Sequence, residues 1–160
     1  MIRLTQWRWT WLACGCALAL LTVVACTPSE HHDALRMASQ DVDEMGMKPY
    51  VFALLQTGDT TARPDSVLSA LFAGHMANIE RLAEEGKLVV AGPFYDVPRA
   101  PGSWRGVFVL NTADTVEARG WVDQDPAVQA GVFDVVLAPW YSSGALQAVQ
   151  GLHQGLQASE

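Results

Sequence analysis

The stretch from Gly74 to Pro93, GHMANIERLAEEGKLVVAGP, constrains this chain more than any other. It sets an amphipathic helix, a glycine, a short apolar strand and a Gly-Pro stop in immediate succession. Over Ser66 to Glu85, residues Leu68, Leu71, Phe72, Ile79 and Leu82 recur at steps of three and four and so share one face. His75 falls on the same stripe. Asn78, Glu80, Arg81, Glu84 and Glu85 lie away from its centre and are expected to stay wet. Asp65 or Ser66 is expected to cap the helix, and Gly86 suits the position just past its end. A helix followed so closely by a strand must lie on the sheet which that strand joins.

The rest of the order follows from local signals. Tyr50 to Leu55 reads as a first strand, closed by Thr57-Gly58-Asp59, and Lys87 to Ala91 as a second, stopped at Gly92-Pro93. Residues 95–104 carry Pro98, Pro101 and Gly102 and form a loop. Val107 to Leu110 is a third strand. Thr112 can cap a second helix from Ala113 to about Val122. Asp125-Pro126 starts a short turn that ends near Gly131, Val132 to Leu137 is a fourth strand ended at Pro139, and a glycine-weakened helix runs from Ser143 to about Leu156. The order β-α-β-β-α-β is the ferredoxin-like arrangement, an α+β fold with a four-stranded antiparallel sheet and an extra C-terminal helix. The first, third and fourth strands are apolar at consecutive positions, so both faces of the sheet need cover. Two helices cover one face. A second copy of the sheet, related by a two-fold axis, would cover the other, which predicts a homodimer.

The N-terminus reads differently. Arg3 and Arg8 precede the apolar run Trp11 to Ala25, and no acid occurs before Glu30. This is the basic region and short apolar core of an export signal, too short for a comfortable membrane span. Val23-Val24-Ala25-Cys26 resembles the lipobox of bacterial lipoproteins, in which the cysteine becomes the lipid-modified first residue; an ordinary signal peptide or an uncleaved anchor are the competing readings. Thr27 at the second mature position, where that sorting rule reads Asp as retention, points to the outer membrane, facing the periplasm. Residues 1–25 are thus read as signal, 26–47 as a tether, 48–142 as the domain and 143–160 as a helical tail. Cys14 and Cys16 leave with the signal, so the mature domain has no thiol for a disulfide or a metal. Removing residues 1–25 takes two arginines and no acid. Eight cations then face 17 acids, a net charge of about −9. So acidic a chain is a poor nucleic-acid binder, and any membrane attachment falls to the lipid.

Three stretches resemble the YciI-like (YCII-related) proteins of the dimeric α+β barrel superfamily. They are GHMANIERLAEEGKLVVAGPF (Gly74 to Phe94), RGVFVL (Arg105 to Leu110) and DQDPAVQAGVFDVVLAPWYSS (Asp123 to Ser143). The secreted start and the tail after Tyr141 depart from the small members of that family. The resemblance implies a His/Asp pair in a cleft between helices and sheet, at His75 and Asp125, and in some members enzymes acting on small, often aromatic or chlorinated compounds. A carboxylate beside one imidazole nitrogen fixes the tautomer and leaves the other nitrogen to take or give a proton. The plain reading of His75 is a core histidine satisfied by backbone, and of Asp125 a helix N-cap preceding a proline; capping and pairing are compatible roles for one carboxylate. Gly92, Pro93, Phe94 and Trp140 are candidates to line the cleft, and Arg105 to pair a substrate carboxylate. No Gly-rich phosphate loop, nucleophile elbow, Cys pair or His-x-x-x-His is present, so no cofactor and no metal are expected. Two functions remain: a small-molecule lyase, isomerase or dehydrohalogenase using His75 and Asp125, or a non-catalytic ligand-binding or structural module of the envelope.

Overall fold

The computed structural model describes Arg36 and residues 38–59 and 61–157. The expected signal segment, the lipidation site Cys26 and most of the tether lie outside the described residues. The element order is β1 (Met47–Thr57), α1 (Asp65–Glu84), β2 (Leu88–Pro93), β3 (Trp104–Leu110), α2 (Thr115–Val122), α3 (Pro126–Gln129), β4 (Phe133–Ser143), a 3-10 turn (Gly144–Ala148) and α4 (Val149–Gln157). The strands form one sheet in the order β2-β3-β1-β4, every neighbouring pair antiparallel. This is the ferredoxin-like fold. Among the described residues no helix is long and apolar enough to cross a membrane.

The register explains where the core sits. Val51, Ala53 and Leu55 of β1 stand opposite Leu110, Phe108 and Gly106 of β3, and opposite Pro139, Leu137 and Val135 of β4. Because side chains alternate across a strand, this row faces the helices. It meets Leu82 of α1, Ala118 and Val122 of α2 and Ala127 of α3 in one buried cluster. On the opposite face Tyr50, Val89 and Val109 are buried, with Leu146 of the 3-10 turn packed against them. The tail therefore covers the β2-β3 side of that face. On the β1-β4 side the face is open: Val136 is 51 % exposed and Trp140 39 %.

Several boundaries differ from the sequence reading. The N-cap of α1 is Pro64 and no side chain caps it; Asp65 and Ser66 lie inside the first turn. The carbonyl of Pro64, in an extended conformation, accepts the N–H groups of Val67 and Leu68. At the other end Gly86 adopts φ 69°, its N–H donates to Ala83 O, and the N–H of Lys87 donates to Leu82 O, which closes the helix as expected. The second helix starts at Thr115 rather than Ala113, because the carboxylate of Asp114 accepts the Val116 N–H at 2.7 Å. Thr112 instead accepts the Asp114 N–H. Strands β2 and β4 run through Pro93 and Pro139. Both are edge strands, where a residue without an N–H need not break a ladder. Asn78, expected to stay wet, is 6 % exposed.

Residues 38–46, which the sequence places in the tether, dock beside the tail. Tyr141 Oη donates to the Asp43 carboxylate, Gln147 Nε2 donates to Gln40 O at 3.0 Å, and the Gly144 N–H donates to Gly46 O at 2.8 Å. A Cβ at Gly144 would collide with Val42 and with Ala38 O. Beneath this clasp the ammonium of Lys48 donates to Asn111 Oδ1 at 2.9 Å and Gln147 Oε1 at 3.1 Å, and burial lowers its pKa.

Candidate active site

His75 and Asp125 meet. Helix α1 presents His75 toward the sheet, where the ring lies 5.9 Å from the Phe108 ring and 5.2 Å from that of Phe133, centroid to centroid. Asp125 is the N-cap of α3. Its Oδ1 accepts the Ala127 N–H at 2.9 Å, and Pro126 stands at the first helical position. Its Oδ2 accepts from His75 Nδ1 at 2.6 Å. One carboxylate caps a helix and orients an imidazole. The close approach of the two elements depends on Gly74, where a Cβ would stand 2.8 Å from Cγ of the Pro126 ring.

Asn78 completes the group. Its Nδ2 lies 3.4 Å from Asp125 Oδ2, and its Oδ1 accepts from Arg81 at 2.8 Å. The sequence reading missed it by weighing polarity over spacing: Asn78 is one turn after His75, at the i+3 position that shares a face.

The electrostatics fix the tautomer. Asp125 is fully buried. Burial alone would push its carboxyl up, but the hydrogen bond and charge of His75, the Ala127 N–H and Asn78 outweigh it and hold the group below the ordinary carboxylate value. An ionised carboxylate only accepts, so His75 Nδ1 carries the proton in that bond. Whenever the ring is neutral its lone pair is on Nε2, for which no described residue supplies a partner.

His75 also lines a cavity of about 320 Å³ between α1 and the sheet, and its side chain is 12 % exposed. The walls are apolar: Phe72, Met76 and Ile79 from the helix, and Leu55, Ala91, Phe108 and Phe133 from the strands. Gly106 leaves room in the floor, because a Cβ there would already touch Gly92 O at 2.9 Å. Of the expected lining residues, Gly92, Pro93 and Arg105 border the cavity. Phe94 does not; it packs on Trp104 with ring centroids 5.7 Å apart. Trp140 lies on the open face of the sheet against Tyr50 and Phe52, outside the cavity lining. Its side chain alternates with Leu137 and Val135 and so points to the other face.

Fold and site together define a class: a ferredoxin-like α+β domain with a buried acid holding an imidazole at the wall of an apolar hollow. The chain belongs to the YCII-related domain family, whose pattern matches residues 51–140. It is 39 % identical over 67 residues to Protein YciI of Escherichia coli O6:H1, a match covering 39 % of this chain and 67 % of that protein. Protein YciI of Shigella flexneri matches to the same extent. Among solved structures it resembles the 5-chloro-2-hydroxyhydroquinone dehydrochlorinase of Burkholderia phenoliruptrix in complex with 2,5-dihydroxybenzoquinone. That likeness has 23 % identity and a TM-score of 0.40, over 56 % of this chain and 92 % of that one.

Proposed function

We propose that the domain is a small-molecule enzyme that moves a proton through His75, oriented by Asp125. The observation that carries this is the 2.6 Å Nδ1–Oδ2 contact at the wall of an apolar cavity, with Nε2 left unpartnered. In the resting site Nε2 takes a proton from a carbon or oxygen acid of the bound molecule, and Asp125 stabilises the imidazolium that forms. In an isomerisation the same nitrogen returns the proton to a neighbouring atom. In an elimination the electron pair of the broken C–H bond becomes the new π bond, and the leaving group departs with its own bonding pair. Gly92, Pro93 and Arg105 border the bound molecule, and Trp140 belongs to the sheet face that a second subunit covers.

The dimer forms by apposition of the open sheet faces, where Val136 and Trp140 stand exposed in one chain. An export signal and a lipid on Cys26 hold the domain at the outer membrane, facing the periplasm. The test is solvent-exchange NMR in D2O on hydroxylated and halogenated aromatic compounds, with halide release followed in parallel. His75-dependent deuterium incorporation or halide release supports the reading. Binding without any exchange or turnover, unchanged by His75→Ala, refutes it in favour of a non-catalytic ligand-binding module.

A further inference from the structure

A second cavity, of about 260 Å³, adjoins the first and shares Phe72, Arg105 and Phe133 with it. It is the more polar of the two. Three of the ten lysines and arginines of this acidic chain, Arg63, Arg99 and Arg105, line it, against one acid, Asp59. Arg63 is already committed: it pairs with Asp59 at 3.2 Å and donates to Ala130 O at 2.7 Å. The guanidiniums of Arg105, half-buried on β3, and of Arg99, exposed on the β2-β3 loop, make no hydrogen bond or ion pair with any described residue. The loop is held in place at its base. The Gly102 N–H donates to Thr57 O at 2.8 Å, and Gln56 Nε2 to Gly102 O at 3.1 Å. Thr57, which also lines this chamber, has the one side-chain oxygen among the described residues that is buried without a hydrogen-bond partner. Two guanidiniums without a counter-charge at the wall of one cavity are open to an anion.

We propose that this chamber binds the carboxylate of the ligand, so that the substrate class is a small aromatic or otherwise apolar acid, its body beside His75 and its carboxylate between Arg105 and Arg99. The inference rests on the cavity beside His75 being the ligand site. A carboxylate meets a guanidinium fork in two parallel bonds and carries a single charge, which suits a chamber with two free guanidiniums. Gly58 N–H donates to Val132 O at 3.0 Å and Asp59 N–H to Gly131 O at 2.7 Å. Those two donors are committed, and the guanidinium forks of Arg105 and Arg99 remain.

The test is isothermal titration of the domain with 4-hydroxybenzoate, its neutral counterpart 4-hydroxybenzamide, and 4-hydroxyphenylphosphonate. The acid is expected to bind about tenfold more tightly than the amide. Arg105→Gln and Arg99→Gln are each expected to cost the acid about tenfold, Arg99→Gln to leave the amide unchanged and Arg105→Gln to cost the amide far less than the acid, with higher salt weakening only the acid. Equal binding of acid and amide, absence of binding by both, or tighter binding of the phosphonate overturns the proposal. An equal loss of both ligands in the arginine variants, with unchanged melting temperature, overturns it as well. His75→Ala separates the two readings. Acid selectivity that survives while turnover proves independent of His75 removes the proton-transfer reading alone; His75-dependent exchange without acid selectivity removes this one alone.

Discussion

Replacing Asp125 tests whether one carboxylate does two jobs. Asp125→Asn keeps an N-cap of equal quality and removes the charge, whereas Asp125→Ala removes both. The Ala127 N–H bond at 2.9 Å is an N-cap contribution of about 1 kcal/mol. The His75 contact at 2.6 Å is a charge-assisted hydrogen bond of about 2 kcal/mol, and Asn78 at 3.4 Å adds little. Asp125→Asn is then expected to cost about 2 kcal/mol and Asp125→Ala about 3 kcal/mol. In a double-mutant cycle with His75→Ala, measured by urea denaturation, the coupling between positions 75 and 125 should be about 2 kcal/mol at neutral pH. The pH dependence has a definite sign. The Asp125 carboxyl is held below its ordinary value in the folded chain, so the unfolded chain binds the proton more readily as pH falls. The stabilisation is complete above an unfolded value of about 3.9 and is lost as pH drops through the lower folded value. The stability gap between the native chain and Asp125→Asn should therefore close as pH falls below about 4. Additivity within about 0.5 kcal/mol, or a gap that stays open below about pH 3, would refute the pairing argument.

Further outcomes follow from other contacts. Gly74→Ala should destabilise by about 1–2 kcal/mol, although alanine favours a helix, because its methyl would press on the rigid Pro126 ring; calorimetry showing a gain in stability would contradict this. Val136→Glu should shift a homodimer to monomer in sedimentation equilibrium, and an unchanged mass would place any interface elsewhere. In the full chain, Cys26→Ser should abolish labelling by a fatty-acid analogue and release the protein from the membrane fraction; retained labelling would exclude that cysteine as the lipid site.

The order of elements was legible because each helix and strand carries its own period and its own stop. Gly86 and Asp125-Pro126 are local devices, and both act where the spacing puts them. The strand ends were misjudged because a proline stops a strand only in the interior of a sheet, and whether β2 and β4 are edges is decided by the pairing, not by either segment. Asn78 was misread for a related cause. Polarity suggested water, but the i+3 step from His75 put it over Asp125, and only the fold reveals a buried carboxylate waiting there. The meeting of His75 with Asp125 was reached by resemblance to a family; fifty positions of separation offer no spacing rule. Trp140 was placed at the cleft although its alternation with Leu137 already assigned it to the other face.

The direction of β1 bears on access. The chain enters the domain at Met47, beside Ser143, whereas Leu55 and Phe133, which wall the hollow, stand near the far terminus of the same ribbon. Eight residues at about 3.4 Å each set the two about 27 Å apart. The hollow and the point of entry therefore stand toward opposite ends of the strand, and none of residues 38–46 borders its walls.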